Sequence, residues 1–286
     1  MAAGSFVFRT LQSPLDMASV SSRIDGPVAV IGDVHGQTGK LKQIIGKLAQ
    51  LPDIQKRWIV FIGDLVDRGP DSAGAVRIFF EIKAQHDRVT WLCGNHELTM
   101  MGALGLLPAP SYIDFAGRWI QSYSSEPTFA SYGVPYGDLE ALKKAIPEEH
   151  KRVMADLPWC IEHPDFLFVH AGMDRNLPFD TQLRILRQRD YTLSNPPWLY
   201  SKDFIVAGAP MDAPVPLVVG HVPVPQVRFD NGMINVDTGA GADGELSCLL
   251  LPEGEVLQSE SFRPSSGFPM QTPPPRRPAP PWWKLW

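Results

Sequence analysis

The chain has 286 residues, of which 44% are hydrophobic and 20% charged, a composition that is ordinary for a globular protein. A net charge of −5 without a long Lys/Arg block argues against a protein that grips nucleic acid by its phosphates. The first 26 residues lack a secretory pattern, no apolar run approaches a membrane span, and three cysteines are too few for a disulfide framework. We therefore expect a soluble, cytoplasmic protein.

The first half of the chain alternates predicted strands and helices. After an N-terminal arm over residues 1–26, apolar runs predict strands at 28–31, 58–62 and 89–93. Apolar residues at helical spacing predict helices over 40–51, which Pro52 ends, and over 71–84. This βαβαβ order predicts an α/β fold with a parallel or mixed sheet.

The second half of the chain is predicted to be mostly β. Residues 102–136 are rich in Gly, Pro, Ser and aromatic residues and indicate an irregular cap or loop excursion, followed by a helix over 138–157. Strands are predicted at 166–169 and 217–219, separated by an irregular stretch with a helix near 181–189. Three further strands, at 233–236, 246–251 and 256–259, are expected to be antiparallel.

The tail over residues 263–286 differs from the domain predicted over 27–262. Its prolines exclude a helix or a strand ladder, so an extended or disordered segment is expected. The alternative is a docking segment for a partner or a membrane surface, because Trp282, Trp283 and Trp286 accompany basic residues.

Polar motifs follow the predicted strands. They are Gly32-Asp33-Val34-His35-Gly36, Gly63-Asp64-Leu65-Val66-Asp67-Arg68-Gly69, Gly94-Asn95-His96-Glu97, His170-Ala171-Gly172 and Gly220-His221. Strand ends in an open α/β sheet meet at one crevice, so these side chains are expected to converge. Carboxylate, imidazole and amide ligands without thiolates suit divalent first-row metals rather than a structural zinc site.

The five motifs in this order resemble the calcineurin-like metallophosphoesterases. The complete Asp67-Arg68-Gly69 and Gly94-Asn95-His96-Glu97 wording is similar to their phosphoprotein phosphatase branch, in particular the bacterial and phage-type serine/threonine phosphatases. The resemblance covers roughly residues 27–260. It implies an αββα sandwich with mixed β-sheets and a two-metal site at the strand ends.

The resemblance also implies roles for individual residues. Two divalent ions, with Mn expected first and Fe or Zn as alternatives, would share Asp64. One ion would bind Asp33, His35 and Asp64, and the other would bind Asp64, Asn95, His170 and His221. A water shared by the two ions would attack phosphorus in line as hydroxide. His96 would protonate the leaving oxygen, Asp67 would orient His96, and Arg68 and Asn95 would bind the phosphate.

Two departures from the family pattern concern the substrate. A second phosphate-binding Arg is usual in a Trp-Xaa-Arg segment, whereas the comparable stretch 198–204 places Ser201 there with Lys202 beside it as a substitute point charge. A Gly-Gly pair that often follows the Trp of the cap is absent after Trp119.

We therefore expect a phosphomonoesterase acting on phosphoserine or phosphothreonine in proteins or on a small phosphoester. The alternative enzyme is a symmetrical diadenosine tetraphosphate hydrolase, in which a different residue often stands at the position of Asp67. A third reading is a weakened enzyme that serves as a binding or scaffold protein.

Overall fold

Two five-stranded mixed sheets form the centre of the computed structural model, which describes residues 19–260. Most of the predicted N-terminal arm and all of the predicted tail lie outside the described residues. The arm's last residues lie along the second sheet, where the backbone N–H of Ile24 donates to the carbonyl of Glu162 at 2.9 Å. Within the described range, none of the helices has the length and apolar character that a membrane crossing requires.

The described elements begin with an alternating βα region. In chain order they are β1 (Val28–Ile31), α1 (Thr38–Leu48), β2 (Trp58–Phe61), α2 (Ser72–Lys83), β3 (Val89–Trp91), α3 (Asn95–Ala103), α4 (Phe115–Ser122), α5 (Glu126–Ser131), α6 (Leu139–Ala145), α7 (Glu148–Ala155), β4 (Cys160–His163), β5 (Phe166–Val169), α8 (Phe179–Gln188), α9 (Pro197–Tyr200), α10 (Phe204–Ala207), β6 (Leu217–Val219), β7 (Arg228–Asp230), β8 (Met233–Asn235), β9 (Ser247–Leu251) and β10 (Glu255–Gln258).

The two sheets pack face to face, and helices cover their outer faces. The first sheet has the strand order β10-β9-β1-β2-β3, and the second has the order β4-β5-β6-β8-β7. Side chains alternate between the faces of a strand. Val28 and Val30 of β1 therefore share a buried cluster with Phe166 and Phe168 of β5, while Ile31 packs with the helical side. The predicted αββα sandwich is confirmed.

One predicted pairing is wrong. Strand β8 does not join β9 and β10 in an antiparallel sheet, because it runs parallel to β6 and antiparallel to β7 in the second sheet. Strand β9 instead pairs antiparallel with β1 in the first sheet. The chain crosses between the sheets over 236–246, and a single strand's pattern does not say which partner it will meet.

The cap is more helical than predicted. Residues 102–136 contain α4 and α5, and Asp114 caps α4 by accepting a hydrogen bond from Gly117 N at 2.8 Å. Pro127 lies in the first turn of α5, where a missing N–H costs little, so its presence is not a sign of a loop. Pro147 divides the predicted helix 138–157 into α6 and α7. Strands β4 and β7 were not predicted.

Candidate active site

The motif residues converge at one end of the two sheets. Asp33 and His35 follow β1, Asp64 follows β2, and His170 and His221 follow β5 and β6. Tight turns place them there: the φ angles of His35, Asp64 and His221 are 47°, 52° and 67°, a left-handed region that non-glycine residues rarely adopt. The site therefore concentrates backbone strain in the loops that aim its side chains.

The side chain of Asp64 lies at the centre of the cluster. Its Oδ2 atom is 3.7 Å from His35 Nε2, 3.8 Å from His96 Nε2 and 3.3 Å from His170 Nε2. Two groups of buried or partly buried ligand atoms share it: those of His35, Asp64 and His96, and those of Asp64, His170 and His221, each within 4.8 Å of one another. This arrangement provides two adjoining places for cations with Asp64 between them.

Backbone carbonyls orient two of the imidazoles. His35 Nδ1 lies 2.9 Å from the carbonyl oxygen of Val66, and His170 Nδ1 lies 2.9 Å from that of Ile62. Donation at Nδ1 leaves Nε2 of each ring directed at the centre of the cluster, which is how a backbone carbonyl commonly orients a histidine that binds a metal.

Two buried polar atoms in the cluster lack a hydrogen-bond partner. They are Asp33 Oδ1 and His35 Nε2, both in side chains that are about 1% exposed. A buried polar atom without a hydrogen bond is costly, and a bound cation would satisfy both. The donor set of carboxylates, imidazoles and the Asn95 amide fits divalent cations, so the residues present fit the predicted metal pair.

The amide oxygen of Asn95 joins the two later histidines. Asn95 Oδ1 is 3.1 Å from His170 Nε2 and 3.0 Å from His221 Nδ1. The backbone N–H of His221 donates to Asp33 Oδ2 at 3.0 Å, and His221 Nε2 lies 3.1 Å from the carbonyl oxygen of Tyr200. The structure thus brings together all six residues predicted to bind metal.

The charges in the cluster shift several pKa values. Burial raises the pKa of Asp33 well above its usual range, and the neighbouring Asp237 adds to the effect. Burial also opposes the charge of Asp64, but His170 and His96 outweigh it and hold the pKa of Asp64 well below its usual range. Burial lowers the pKa of His170, yet Asp64 and Asp33 raise it to about 10.

His96 is held by the buried carboxylate of Asp67, which also accepts hydrogen bonds from two residues of the cap. His96 Nδ1 donates to Asp67 Oδ2 at 2.8 Å, and Trp119 Nε1 donates to the same oxygen at 2.8 Å. Thr128 Oγ1 donates to Asp67 Oδ1 at 2.6 Å. The backbone φ angles of Asp67 and Arg68 are 69° and 65°. Arg68 Nη2 lies 3.3 Å from His96 Nε2, so a cationic donor adjoins the ring nitrogen that faces the cluster.

Glu97 supports this centre and was missed as a functional residue. Its Oε2 accepts from Asp64 N at 2.8 Å and Gly94 N at 3.1 Å, and its Oε1 accepts from Leu65 N at 2.7 Å and Val66 N at 3.3 Å. Burial and the charge of Asp64 raise the pKa of Glu97 to about 7. The four backbone N–H donors favour the ionised form, in which both oxygens act only as acceptors. The signal in the sequence was its place beside Asn95 and His96.

Asp237 is a second missed residue, and the role of Lys202 stays a prediction. Asp237 is 2% exposed, and burial raises its pKa to about 6. Only the fold brings it to Asp33, since nothing in its local sequence marks it. Lys202, the predicted substitute for an arginine, is exposed and makes no hydrogen bond or ion pair within the described range. No observation supports its predicted contact with phosphate.

Known proteins share the sequence pattern and the fold. A family model described as calcineurin-like phosphoesterase matches residues 26–243. The asymmetrical bis(5'-nucleosyl)-tetraphosphatase PrpE of Bacillus mycoides (strain KBAB4) is 25% identical over 265 residues, which cover 83% of this chain and 98% of that protein.

Two solved structures show the fold alone, because their sequence identity is low. A protein serine/threonine phosphatase from Saccharomyces cerevisiae is 16% identical with a TM-score of 0.53, covering 88% of this chain and 87% of that one. A cold-active protein-tyrosine phosphatase from a Shewanella species is 19% identical with a TM-score of 0.52, covering 87% of this chain and 85% of that one.

Proposed function

The chain belongs to the calcineurin-like phosphoesterase family, and from that premise we propose that it is a metal-dependent phosphomonoesterase acting on phosphoserine and phosphothreonine in proteins. The observation that carries the proposal is the buried His96–Asp67 pair at 2.8 Å. Serine and threonine oxygens are poor leaving groups and need a proton as the P–O bond breaks, whereas a phosphoanhydride leaves more readily. A positioned imidazole backed by a carboxylate supplies that proton.

The chain's own residues divide the work around a bound phosphate. Arg68 lies beside His96 Nε2, so its planar guanidinium can donate to phosphoryl oxygens while His96 faces the leaving oxygen. Asp67 keeps the His96 ring in place by accepting the hydrogen bond from Nδ1 at 2.8 Å. Asp33, His35, Asp64, Asn95, His170 and His221 would hold the cations, with Mn²⁺ as the proposed metal. When bound, two such ions supply water activation and neutralise charge on phosphorus.

A second candidate is hydrolysis of a dinucleoside tetraphosphate. The name of the Bacillus relative supports it, and that protein is matched over 98% of its length. The name of that relative specifies the asymmetrical reaction, whereas the sequence motifs of this chain led us to consider the symmetrical one. In either reaction the leaving group is a phosphate, for which the acid is less important. The His96–Asp67 pair is therefore the reason to place this candidate second.

Measuring the turnover of a phosphoserine peptide and of diadenosine tetraphosphate with the same enzyme preparation distinguishes the two candidate functions. The full chain with Mn²⁺ should release phosphate from a phosphoserine peptide, and His96→Gln should lower that rate by about 10²- to 10⁴-fold. A kcat/KM for diadenosine tetraphosphate more than about 100-fold above that for the peptide would favour the second candidate, a difference of about 2.7 kcal/mol. Failure to hydrolyse either substrate or p-nitrophenyl phosphate would favour the scaffold reading.

Two further proposals concern the surroundings of the enzyme. The cytoplasm remains the proposed location, supported by Cys93, Cys160 and Cys248, which are buried as free thiols. The proposed partners are the phosphorylated substrate and, for the tail, a docking protein or membrane surface; nucleic acid is not proposed as a partner.

A further inference from the structure

A second guanidinium lies at the rim of the site. Arg118 belongs to cap helix α4, and its Cζ atom is 5.5 Å from the centre of the Phe115 ring and 5.4 Å from that of the Tyr200 ring. Its Nη1 atom donates to the carbonyl oxygen of Ser194. Stacking against two aromatic rings fixes the plane of the guanidinium, which also interacts with the side chains of Tyr123 and Tyr200. An arginine has five N–H donors, so donors remain beyond these contacts.

Two tyrosines connect this guanidinium to the site. The Tyr123 ring lies edge-on to the His96 ring with centroids 4.7 Å apart, and the Tyr200 carbonyl accepts from His221 Nε2 at 3.1 Å. The Tyr200 hydroxyl is 2.7 Å from Thr99 Oγ1 on α3, the helix that carries Asn95 and His96. Tyr123 and Tyr200 both raise the pKa of Arg118, although burial opposes them. Arg118 therefore adjoins Tyr123, whose ring packs against His96, and Tyr200, whose backbone carbonyl is bonded to His221.

We infer that Arg118 is a substrate-binding residue that, together with Arg68, donates to the phosphoryl oxygens of the substrate. The inference rests on the proposed function for its substrate class, a phosphate dianion. Arg68 adjoins His96 directly, and Arg118 adjoins Tyr123, which packs on the same ring. Two guanidinium groups around one anion suit the three terminal oxygens of a phosphate ester better than one group does.

A purely structural role for Arg118 makes a different prediction. The hydrogen bond to Ser194 fastens α4 to the loop before α9, so losing Arg118 could loosen the cap without any effect on phosphate itself. In that case stability and turnover would fall, whereas the affinity of the site for inorganic phosphate would not. Phosphate binding is therefore the readout that distinguishes the two roles.

The test measures binding of inorganic phosphate to the Mn²⁺-loaded full chain by calorimetry. Arg118→Gln should raise the Kd for phosphate by about 10- to 100-fold, the range expected for loss of a charge-assisted hydrogen bond. Arg118→Lys should lose less, because it keeps the charge without the planar fork. Arg184→Gln, an exposed change on α8 that removes the same charge, should leave Kd unchanged. The KM for p-nitrophenyl phosphate should follow the Kd.

Three results would overturn the inference. The first is a Kd within about threefold of the unmodified chain for Arg118→Gln or, if that variant does not fold, for Arg118→Lys. The second is a loss of phosphate binding that appears only together with a loss of Mn²⁺ binding. The third is an unmodified chain that binds no phosphate. Failure of the proposed function looks different: phosphate binds and depends on Arg118, yet no phosphopeptide is hydrolysed.

Discussion

Replacing Asp67 with Asn tests whether a negative charge behind His96 is needed for catalysis. The amide oxygen can take the place of Oδ2 and accept from His96 and Trp119, while its NH₂ group faces Thr128 Oγ1, which can rotate to accept. The geometry is kept and the charge is lost. A hydrogen bond between charged partners is worth about 1.5–3 kcal/mol, so the proton transfer should slow by about 10- to 100-fold.

The assay compares two leaving groups in Mn²⁺-loaded enzyme. For a phosphoserine peptide, Asp67→Asn should lower kcat by about 10- to 100-fold. For p-nitrophenyl phosphate, whose phenolate leaves without a proton, the loss should be less than about threefold. Asp138→Asn, at the exposed cap of α6, is the matched control and should change neither rate. Equal losses on both substrates would refute the reasoning, because Asp67 would then be acting on the site's structure and not on the acid.

Three further outcomes follow from the same geometry. Glu97→Gln should lower the free energy of unfolding of the metal-loaded chain by about 3 kcal/mol or more, because the amide replaces one of two acceptor oxygens with a donor that faces backbone N–H groups. Urea unfolding measures this loss, and an unchanged unfolding midpoint would contradict the prediction. Binding of Mn²⁺ at pH 8 should release a proton from His170, because its pKa of about 10 in the absence of a cation lies above that pH. Calorimetry in buffers of different ionisation enthalpy measures the number of protons released, and zero release would contradict the prediction. Ser124→Gly should raise stability by up to about 1 kcal/mol, because Ser124 has a φ of 50°, and a lower Tm would count against strain there.

The strand ends were predictable because their signals are local. An apolar run followed by Gly-Asp or Gly-Asn marks both a strand and its end, and parallel strands carry those ends to the same edge of a sheet. Asp33, Asp64, Asn95 and His170 accordingly lie together as predicted. Assigning particular ligands to particular ions relied on the family resemblance, and the ligand atoms of His96, the proposed acid, lie within 4.8 Å of those of His35 and Asp64.

The rest depended on contacts that no local pattern encodes. Strands β8 and β9 have similar apolar sequences, yet β8 lies in the second sheet and β9 in the first. The crossing over 236–246 and the partner strands decide this pairing. Asp237 is brought to Asp33 by that same crossing. In the cap, Gly and Pro residues concealed helices α4 and α5. The Asp114 N-cap stabilises α4, and burial of Trp119 and Phe129 stabilises the two helices more than propensity does.

The cap and the strand ends therefore control different parts of the chemistry. The predicted metal ligands follow β1, β2, β5 and β6 or begin α3, and Glu97 fastens the Asp64 loop to that same helix. Asp67 connects this frame to the cap, because both of its carboxylate oxygens accept hydrogen bonds from residues of α4 and α5. Because these two short helices pack beside the sheets and do not form them, their sequence can change while the strand ends stay fixed. Differences in the cap should then alter which leaving groups are accepted, and differences in the strand ends should alter whether metals bind.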